Sequence, residues 1–418
     1  MLYTHPQLPP PLGGGSLPGR RPYLPRGLRS YLEEPRIQAL LDIAGELGYA
    51  RPLERVLEGK PSVRDVVELY RMPLWLLGAL ARAVTDAITG RRVGYVVNMI
   101  LNYTNICVVN CRFCAFRRSP GAEDAYRLDA SQAVASVVEH WEKYRIRQVL
   151  FQGGVDPSIP LEYFEEVFRG IKARTRGEVA VHGLSAVEID WYSRVNRLSV
   201  RELVSRLAEA GLDSVPGAGA EILSQRVRGL ISPFKTSAER WLEVMDEIMS
   251  LGLPVSTTMM YGHVETLWER AEHLLSLLQL QRRRGLIMAF IAWNFEPGNT
   301  ELRGSVPYPA GGTELLRSVA VARLVFRHEI PWIQAGWLTA GTRLGQVSLD
   351  YGANDWGGTL YGEKVLPAAG VPLPLLVRRS IERVIGGAGY EPYERDNWYY
   401  PVEATAPRIA AGAGGAAG

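Results

Sequence analysis

The chain of 418 residues carries 47 lysines and arginines against 44 aspartates and glutamates, so its formal charge is only +3. Hydrophobic residues make up 47% and charged residues 22%, a balance typical of a globular protein and unlike that of a disordered chain or a dedicated nucleic-acid binder. No apolar run approaches the roughly 20 residues that span a bilayer, and three cysteines, an odd number, argue against a disulfide framework and favour a reducing cytoplasm.

Both ends of the chain have a biased composition. Residues 1–28 are rich in proline, glycine and arginine, and residues 403–418 are mostly alanine and glycine. Neither end has enough apolar surface to offset the entropy of ordering, so we predict that both are disordered tails. Residues 29–92 instead show a helical period, with Leu40, Leu41, Ala44 and Leu47 at three- and four-residue steps. This stretch predicts an N-terminal helical region.

Residues 93–365 alternate short apolar runs with longer amphipathic segments. Repeated β-then-α units predict parallel strands joined by right-handed crossovers. Six to eight units favour an α/β fold of the TIM-like β/α barrel type, full or partial, because no Gly-x-Gly-x-x-Gly fingerprint follows the first strand. Residues 366–402 are predicted to form a helical closure. The predicted strands are Gly94–Met99, Gln148–Gln152, Glu178–Gly183, Asp213–Pro216, Val255–Tyr261, Ile287–Trp293, Pro331–Ala335 and a weaker eighth at Val347–Tyr351.

The segments between these strands carry helix start and stop signals. Ser199–Glu202 and Thr236–Glu239 fit the capping box, in which a hydroxyl and a carboxylate each satisfy a free backbone amide. Pro160 suits the first position of a helix. Gly211 and Gly252 fall where a left-handed residue ends a helix. The signals support the alternation of strands and helices.

All three cysteines, Cys107, Cys111 and Cys114, fall within eight positions directly after the first predicted strand. This is the end of a barrel strand at which enzyme sites are built. The alternatives are a structural zinc site, which needs four ligands, a disulfide, which leaves one thiol over, and a buried core. An iron–sulfur cluster with three protein ligands accounts for the whole set and leaves one iron open to a small molecule.

A second glycine-rich string, Gln152–Gly154, follows the second predicted strand. Two glycines let the backbone approach a ligand closely. The alternative is an ordinary tight turn between a strand and a helix.

The Cys-x3-Cys-x2-Cys spacing, with Phe113 before the last cysteine, resembles the radical S-adenosylmethionine superfamily. The resemblance implies a [4Fe–4S] cluster whose open iron binds S-adenosylmethionine, with the methionyl amine at Gln152, Gly153 and Gly154 and a hydroxyl at Glu188. The string from Leu101 to Phe116 is similar to the menaquinone and deazaflavin branch of that superfamily. A non-enzymatic metal-binding or redox-sensing protein is the alternative from another class.

Three later strings most resemble the cyclic dehypoxanthinyl futalosine synthase family, although Ala292 stands where that family commonly has proline. The other members considered are aminofutalosine synthase and the tyrosine-using component of deazaflavin synthase. The resemblance implies that an adenosyl radical takes the C4′ hydrogen of the ribose, and that the carbon radical then closes a ring on the attached benzoate. It also implies a flavodoxin- or ferredoxin-type electron donor, and no nucleic-acid partner. The strings are Pro216–Glu221, Phe290–Thr300 and Gly389–Asp396.

Such a reaction needs a base and polar groups that hold the ribose and the carboxylate. Polar residues near the predicted strand ends supply the candidates, since barrel sites lie there. The alternative for each is a polar residue that shapes its own loop. The predicted catalytic residues are His263, Glu296 and Asp355, and the predicted substrate-binding residues are Tyr103, His182, Asn294 and Asn354.

Overall fold

The computed structural model describes residues 20–25 and 30–402. The predicted tails, residues 1–28 and 403–418, fall outside this range apart from residues 20–25. Within the described residues, no helix is both long and apolar enough to cross a membrane.

Four helices form the N-terminal region, as the helical period predicts. Ser62 begins the third helix with a capping box, because its side chain accepts from the Asp65 amide while the Asp65 carboxylate accepts from the Ser62 amide (2.8 Å). The fourth helix packs against a helix of the barrel, Gly312–Phe326. The four helices are α1 (Pro35–Glu46), α2 (Ala50–Leu57), α3 (Val63–Arg71) and α4 (Leu74–Thr89).

Ten strands follow in the described part of the chain, and eight of them, β2 to β9, form a parallel ring. Regular ladders connect the four consecutive strands from β2 to β5 and the three consecutive strands from β6 to β8. Single parallel bridges, Val215–Val255, Gln334–Asp355 and Met99–Tyr361, complete the ring at three places. The strands are β1 (Arg92–Val96), β2 (Asn98–Asn102), β3 (Gln148–Gln152), β4 (Ala180–Gly183), β5 (Leu212–Ser214), β6 (Val255–Tyr261), β7 (Ile287–Asn294), β8 (Trp332–Ile333), β9 (Asp355–Gly358) and β10 (Glu391–Glu394).

Most of the helices lie between consecutive strands and cover the ring, so the predicted β/α barrel is confirmed. Short 3-10 turns occur at Glu301–Gly304 and Leu349–Tyr351. The helices are α5 (Ala130–Tyr144), α6 (Leu161–Arg174), α7 (Ala186–Val195), α8 (Val200–Ala210), α9 (Gln225–Ile231), α10 (Ala238–Ser250), α11 (Leu267–Arg284), α12 (Gly312–Phe326), α13 (Trp337–Ser348), α14 (Val365–Ala368) and α15 (Arg378–Gly387).

The structure corrects two predicted strands. The segment predicted as Gly94–Met99 is divided at Val97, and the cysteines follow its second half, β2. The predicted eighth strand, Val347–Tyr351, is the end of α13 and a 3-10 turn, while the actual strand is β9. The apolar residues that suggested a strand belong to a helix, since short apolar runs fit both periods.

The helix signals are confirmed in part. Ser199 forms the predicted capping box, and Gly211 and Gly252 adopt positive φ of 119° and 88° at helix ends. Two assignments were wrong by one residue: Ser237 rather than Thr236 caps α10, and Pro160 precedes the helix as its N-cap rather than occupying the first position. Helix boundaries are the least certain part of such predictions.

The C-terminal closure contains a strand as well as a helix. After α15, β10 pairs in parallel with β1, and the following residues enter the barrel at the amino ends of its strands. Residues 20–25 lie against this segment: the Tyr23 amide donates to the Trp398 carbonyl (2.8 Å), and Arg20 pairs with Asp396 (3.0 Å). The chain thus closes the floor of the barrel with its C-terminal segment.

Candidate active site

The three cysteines lie on one loop after β2. Backbone hydrogen bonds fix this loop, from the Cys107 amide to the Arg118 carbonyl (2.9 Å) and from the Cys114 amide to the Cys111 carbonyl (3.2 Å). Cys111 is buried and the other two are half-buried. All three are free thiols that line the same cavity. The structure therefore brings the predicted cluster ligands together.

The environment of the thiols agrees with an iron–sulfur cluster. Burial raises the pKa of Cys111 to about 12; Lys235 opposes this increase, and the neighbouring Cys114 and Cys107 add to it. Among the described residues, no three His, Cys, Asp or Glu side chains converge tightly enough to hold one ion. In a cubane cluster each thiolate binds a different iron. The donor set fits a cluster with three protein ligands.

The glycine-rich turn lies directly against the cysteine loop. A Cβ atom at Gly154 would fall 2.1 Å from the Ile106 carbonyl oxygen and 2.9 Å from Cys107 Cβ. A Cβ atom at Gly153 would fall 2.8 Å from the ring of Tyr103. The glycines are therefore needed for the chain to pack on itself, in addition to any approach of a ligand. Gln152 lines the cavity beside them.

Glu188 holds this turn from the first turn of α7. One carboxylate oxygen accepts from the Tyr103 hydroxyl (2.7 Å) and the Gly153 amide (3.4 Å), and the other accepts from the Ser185 amide (2.7 Å) and hydroxyl (2.6 Å). Burial raises the pKa of Glu188 to about 7, although these hydrogen bonds oppose the shift. Glu188 lines the cavity, but its oxygens are occupied by the protein.

A cavity of about 420 Å³ fills the barrel between the cysteine loop and the C-terminal segment. This volume lies in the usual range of small-molecule sites. Its neutral polar side chains, here called the polar wall, come mostly from β2 to β6, and its aromatic and large aliphatic side chains, here called the apolar wall, come mostly from β7, α13 and β9. The polar wall includes Asn98, Asn102, Gln148, Gln152, His182, Ser256 and Asn397, and the apolar wall includes Met288, Ile291, Trp293, Trp337, Leu338, Trp356 and Leu360.

His182 is a neutral member of the polar wall. Its Nδ1 lies 2.7 Å from the Ser214 hydroxyl and its Nε2 lies 3.1 Å from the Ser256 hydroxyl. Burial, together with the nearby charge of Arg395, lowers the pKa of His182 to about 3. The imidazole therefore offers hydrogen bonds rather than a basic site at neutral pH.

The apolar wall is built around tryptophans from three elements. Trp293 comes from β7, Trp337 from α13 and Trp356 from β9. The rings of Trp337 and Trp356 lie 6.1 Å apart and are nearly parallel, at 10°. These two rings stack on each other and are buried, whereas Trp293 is partly exposed and keeps a surface for an aromatic ligand.

Three more predicted residues line the walls or support them, and others do not reach the cavity. His182 is in the polar wall, Phe113 lies beside the cysteines, and Tyr103 is buried behind the turn. His263 is fixed within its own loop, where Nε2 donates to the Met260 carbonyl (3.0 Å). Asn294 donates to Glu296, and neither side chain lines the cavity. Their predicted roles have no support from position.

Asn354 and Asp355 also lie outside the cavity lining. Asn354 accepts from the buried Arg323 guanidinium (2.7 Å) and from the Ile333 amide (3.0 Å). Asp355 forms a bidentate ion pair with Arg395 (2.6 and 2.9 Å), and both side chains are buried. These contacts are structural, so sequence position at a strand alone was a poor guide to their roles.

Sequence reasoning assigned no role to several charged residues of the cavity. Lys235 forms a buried ion pair with Glu221 and lies 4.8 Å from the centre of the Phe113 ring. Arg395 and Glu363 contribute from the C-terminal part of the chain. Glu221 and Arg395 lie in the strings that carried the family resemblance, but nothing in the sequence places Lys235 or Glu363 beside the cysteines.

Comparison with known sequences supports the same assignment. The profile of the radical SAM superfamily matches residues 101–277, and that of the CofH/MqnC C-terminal region matches residues 284–407. Solved structures agree at the level of the fold. HydG, a maturase of the [FeFe]-hydrogenase, has a TM-score of 0.63 at 18% identity over 87% of this chain and 79% of its own. Methylornithine synthase (PylB) has a TM-score of 0.63 at 18% identity over 82% and 97%.

Curated relatives share more sequence. Aminodeoxyfutalosine synthase of Thermus thermophilus is 39% identical, covering 84% of this chain and 94% of its own length. Cyclic dehypoxanthine futalosine synthase of Streptomyces coelicolor is 38% identical, over 82% and 85%. A 5-amino-6-(D-ribitylamino)uracil–L-tyrosine 4-hydroxyphenyl transferase of Methanosarcina acetivorans is 36% identical, over 84% and 93%. Identity of this extent over nearly whole relatives, together with the tandem profiles, makes the chain a member of the radical S-adenosylmethionine superfamily, in its menaquinone and deazaflavin branch.

Proposed function

We propose that the protein converts dehypoxanthine futalosine to its cyclic product. Membership in the superfamily implies a [4Fe–4S] cluster and S-adenosylmethionine. Cys107, Cys111 and Cys114 would hold the cluster, with Phe113 and the Gln152–Gly154 turn beside it. When bound, these cofactors supply an adenosyl radical that can remove the C4′ hydrogen of the ribose. A flavodoxin- or ferredoxin-type electron donor stays part of the proposal.

The division of the cavity into two unlike walls is the observation that carries this proposal. Dehypoxanthine futalosine joins an aromatic ring to a sugar, and cyclisation requires the two to lie side by side. Trp293, which is partly exposed, offers a face for the ring, while the neutral amides and imidazole of the polar wall offer hydrogen bonds for sugar hydroxyls. Holding both parts in one orientation supplies much of the acceleration that a ring closure needs.

Restoring aromaticity after ring closure removes one electron, which the bound cluster would take up, and one proton, which needs an acceptor in the protein. Three carboxylates line the cavity: Glu188, Glu221 and Glu363. Both oxygens of Glu188 are occupied, and Glu221 is paired with Lys235. One oxygen of Glu363 accepts from the Val365 and Leu366 amides, which leaves the other oxygen for the substrate. Burial raises the pKa of Glu363, and a higher pKa makes a carboxylate a better base.

An anaerobic assay with defined substrates tests the proposal. Reconstituted protein is expected to form the cyclic product and 5′-deoxyadenosine together from dehypoxanthine futalosine, measured by mass spectrometry. Cys111→Ala is the control, because loss of a cluster ligand abolishes both products. Turnover only with tyrosine and 5-amino-6-(D-ribitylamino)uracil, or formation of aminodeoxyfutalosine instead, would refute the cyclase assignment while leaving the radical chemistry in place.

A further inference from the structure

Asn102 ends β2, one residue before the segment that leads to the cysteines. Its side chain is only 4% exposed and lines the cavity. The amide nitrogen donates to the Gln152 backbone carbonyl (3.3 Å), which fixes the orientation of the group. The carboxamide oxygen, Oδ1, is buried and has no hydrogen-bond partner in the protein.

A buried acceptor without a partner is costly to the fold. Native proteins satisfy nearly all such groups, so each exception needs an explanation. Asn98, four residues earlier on the same strand, shows the ordinary arrangement. Its Oδ1 accepts from the Leu360 amide (2.9 Å), and its amide nitrogen donates to the Gln148 side chain (2.9 Å). Both asparagines line the cavity, but of the two only Asn102 has a side-chain acceptor without a hydrogen-bond partner.

The position of Asn102 limits which group could donate a hydrogen bond to its free oxygen. Asn102 pairs in register with Gln152, so its side chain lies at the level of the glycine-rich turn. The turn contacts Cys107 directly, as the geometry of Gly154 shows. A ligand that reaches the free oxygen therefore lies beneath the cysteine loop and must present a hydrogen-bond donor.

We propose that Asn102 binds an O–H or N–H group of the ligand held beneath the cysteine loop. The donor can come from the sulfonium nucleotide, through a hydroxyl or amino group, or from the substrate, through a sugar hydroxyl. The second source rests on the proposed function, and the first does not. In either case the free energy lost by burying an unsatisfied oxygen is recovered when the ligand binds.

The test uses Asn102→Ala with Asn98→Ala as the matched control, in anaerobically reconstituted protein of full length. Without ligand, Asn102→Ala should melt close to the wild-type temperature, because it removes an unsatisfied oxygen together with only one long hydrogen bond, to the Gln152 carbonyl (3.3 Å). Asn98→Ala should melt lower, because it breaks two hydrogen bonds. Iron content of the Asn102→Ala protein should equal that of the wild type.

Calorimetric titration then identifies the source of the donor. Loss of one neutral hydrogen bond predicts a weakening of about three- to tenfold. Weaker S-adenosylmethionine binding assigns the donor to the nucleotide, and weaker dehypoxanthine futalosine binding alone assigns it to the substrate. Unchanged affinity for both ligands in a folded Asn102→Ala protein would overturn the proposal. The titration with S-adenosylmethionine remains informative even if the wild type does not bind dehypoxanthine futalosine. A failure of the proposed Asn102 contact can therefore be distinguished from a failure of the proposed cyclase function.

Discussion

Replacement of Gly154 by alanine is the sharpest test of how the cysteine loop is positioned. The new methyl group would lie 2.1 Å from the Ile106 carbonyl oxygen, and real Cβ contacts are essentially never shorter than 3.0 Å. The loop must therefore move by about 0.9 Å, because the obstacle is backbone rather than a flexible side chain. Gly154 itself is held by a hydrogen bond from its amide to the Thr104 carbonyl (3.0 Å).

Gly154→Ala is expected to affect the rate of S-adenosylmethionine cleavage more than the free energy of unfolding. Overpacking of this kind costs about 1–3 kcal/mol, which a protein stable by about 5–15 kcal/mol survives. Reactive sites, by contrast, tolerate displacements of only about 0.5 Å. A shift of about 1 Å can reduce the rate about 100-fold. We expect Gly154→Ala to fold, to hold less iron and sulfide per chain, and to cleave S-adenosylmethionine about 100-fold more slowly.

Gly229→Ala provides the matched control. Gly229 lies in α9, and nothing is within 4 Å of the position of its added Cβ atom. This variant should gain up to about 1 kcal/mol from helix propensity and keep wild-type iron content. The measurements are metal analysis, 5′-deoxyadenosine formation and thermal unfolding. A folded Gly154→Ala protein with full iron content and wild-type cleavage would show that the turn does not position the loop.

Substitutions of Glu188 and of Glu363 give two further predictions. The pKa of Glu188 is about 7 in the folded protein against an ordinary value of 4.5, so the folded protein binds this proton more tightly than the unfolded chain. The free energy of unfolding therefore falls by about 3 kcal/mol as the pH rises from 4.5 to about 7. Glu188→Gln should flatten this decline in urea unfolding curves, and an unaltered slope would contradict the burial argument. Glu363→Gln should slow the cyclic product while 5′-deoxyadenosine still forms; equal loss of both products would remove Glu363 as the base.

The sequence predicted the barrel well where strands and helices differ clearly in period. β3 and β6 have the predicted bounds because each is a compact apolar run next to strong helix signals. β8 has only two residues, and β9 contains two glycines, so neither has a strong strand pattern. Their place in the ring depends on contacts such as Gln334–Asp355, which only the folded chain forms.

The candidate site was predictable where a local motif carries it. The cysteines and the glycine turn fall where spacing and strand order placed them. The charged residues were less predictable, because burial decides their role. Asp355 follows a predicted strand region, but its pairing with Arg395 spans 40 residues. Lys235 reaches the cysteines from the segment before α10, and its partner Glu221 lies 14 residues away.

Pairing of these charges determines what kind of chemistry the cavity favours. Arg395 is matched by Asp355, Lys235 by Glu221, and His182 is neutral because burial and the nearby Arg395 lower its pKa. A buried charge without a partner would draw in water or shift its own protonation. Glu363 keeps one oxygen without a partner among these contacts, and the rest of the lining consists mostly of aliphatic side chains, tryptophans and neutral amides. Under the proposed ring closure, such a surface would hold an uncharged carbon radical by contact and hydrogen bonding and would leave Glu363 as the carboxylate that accepts the proton.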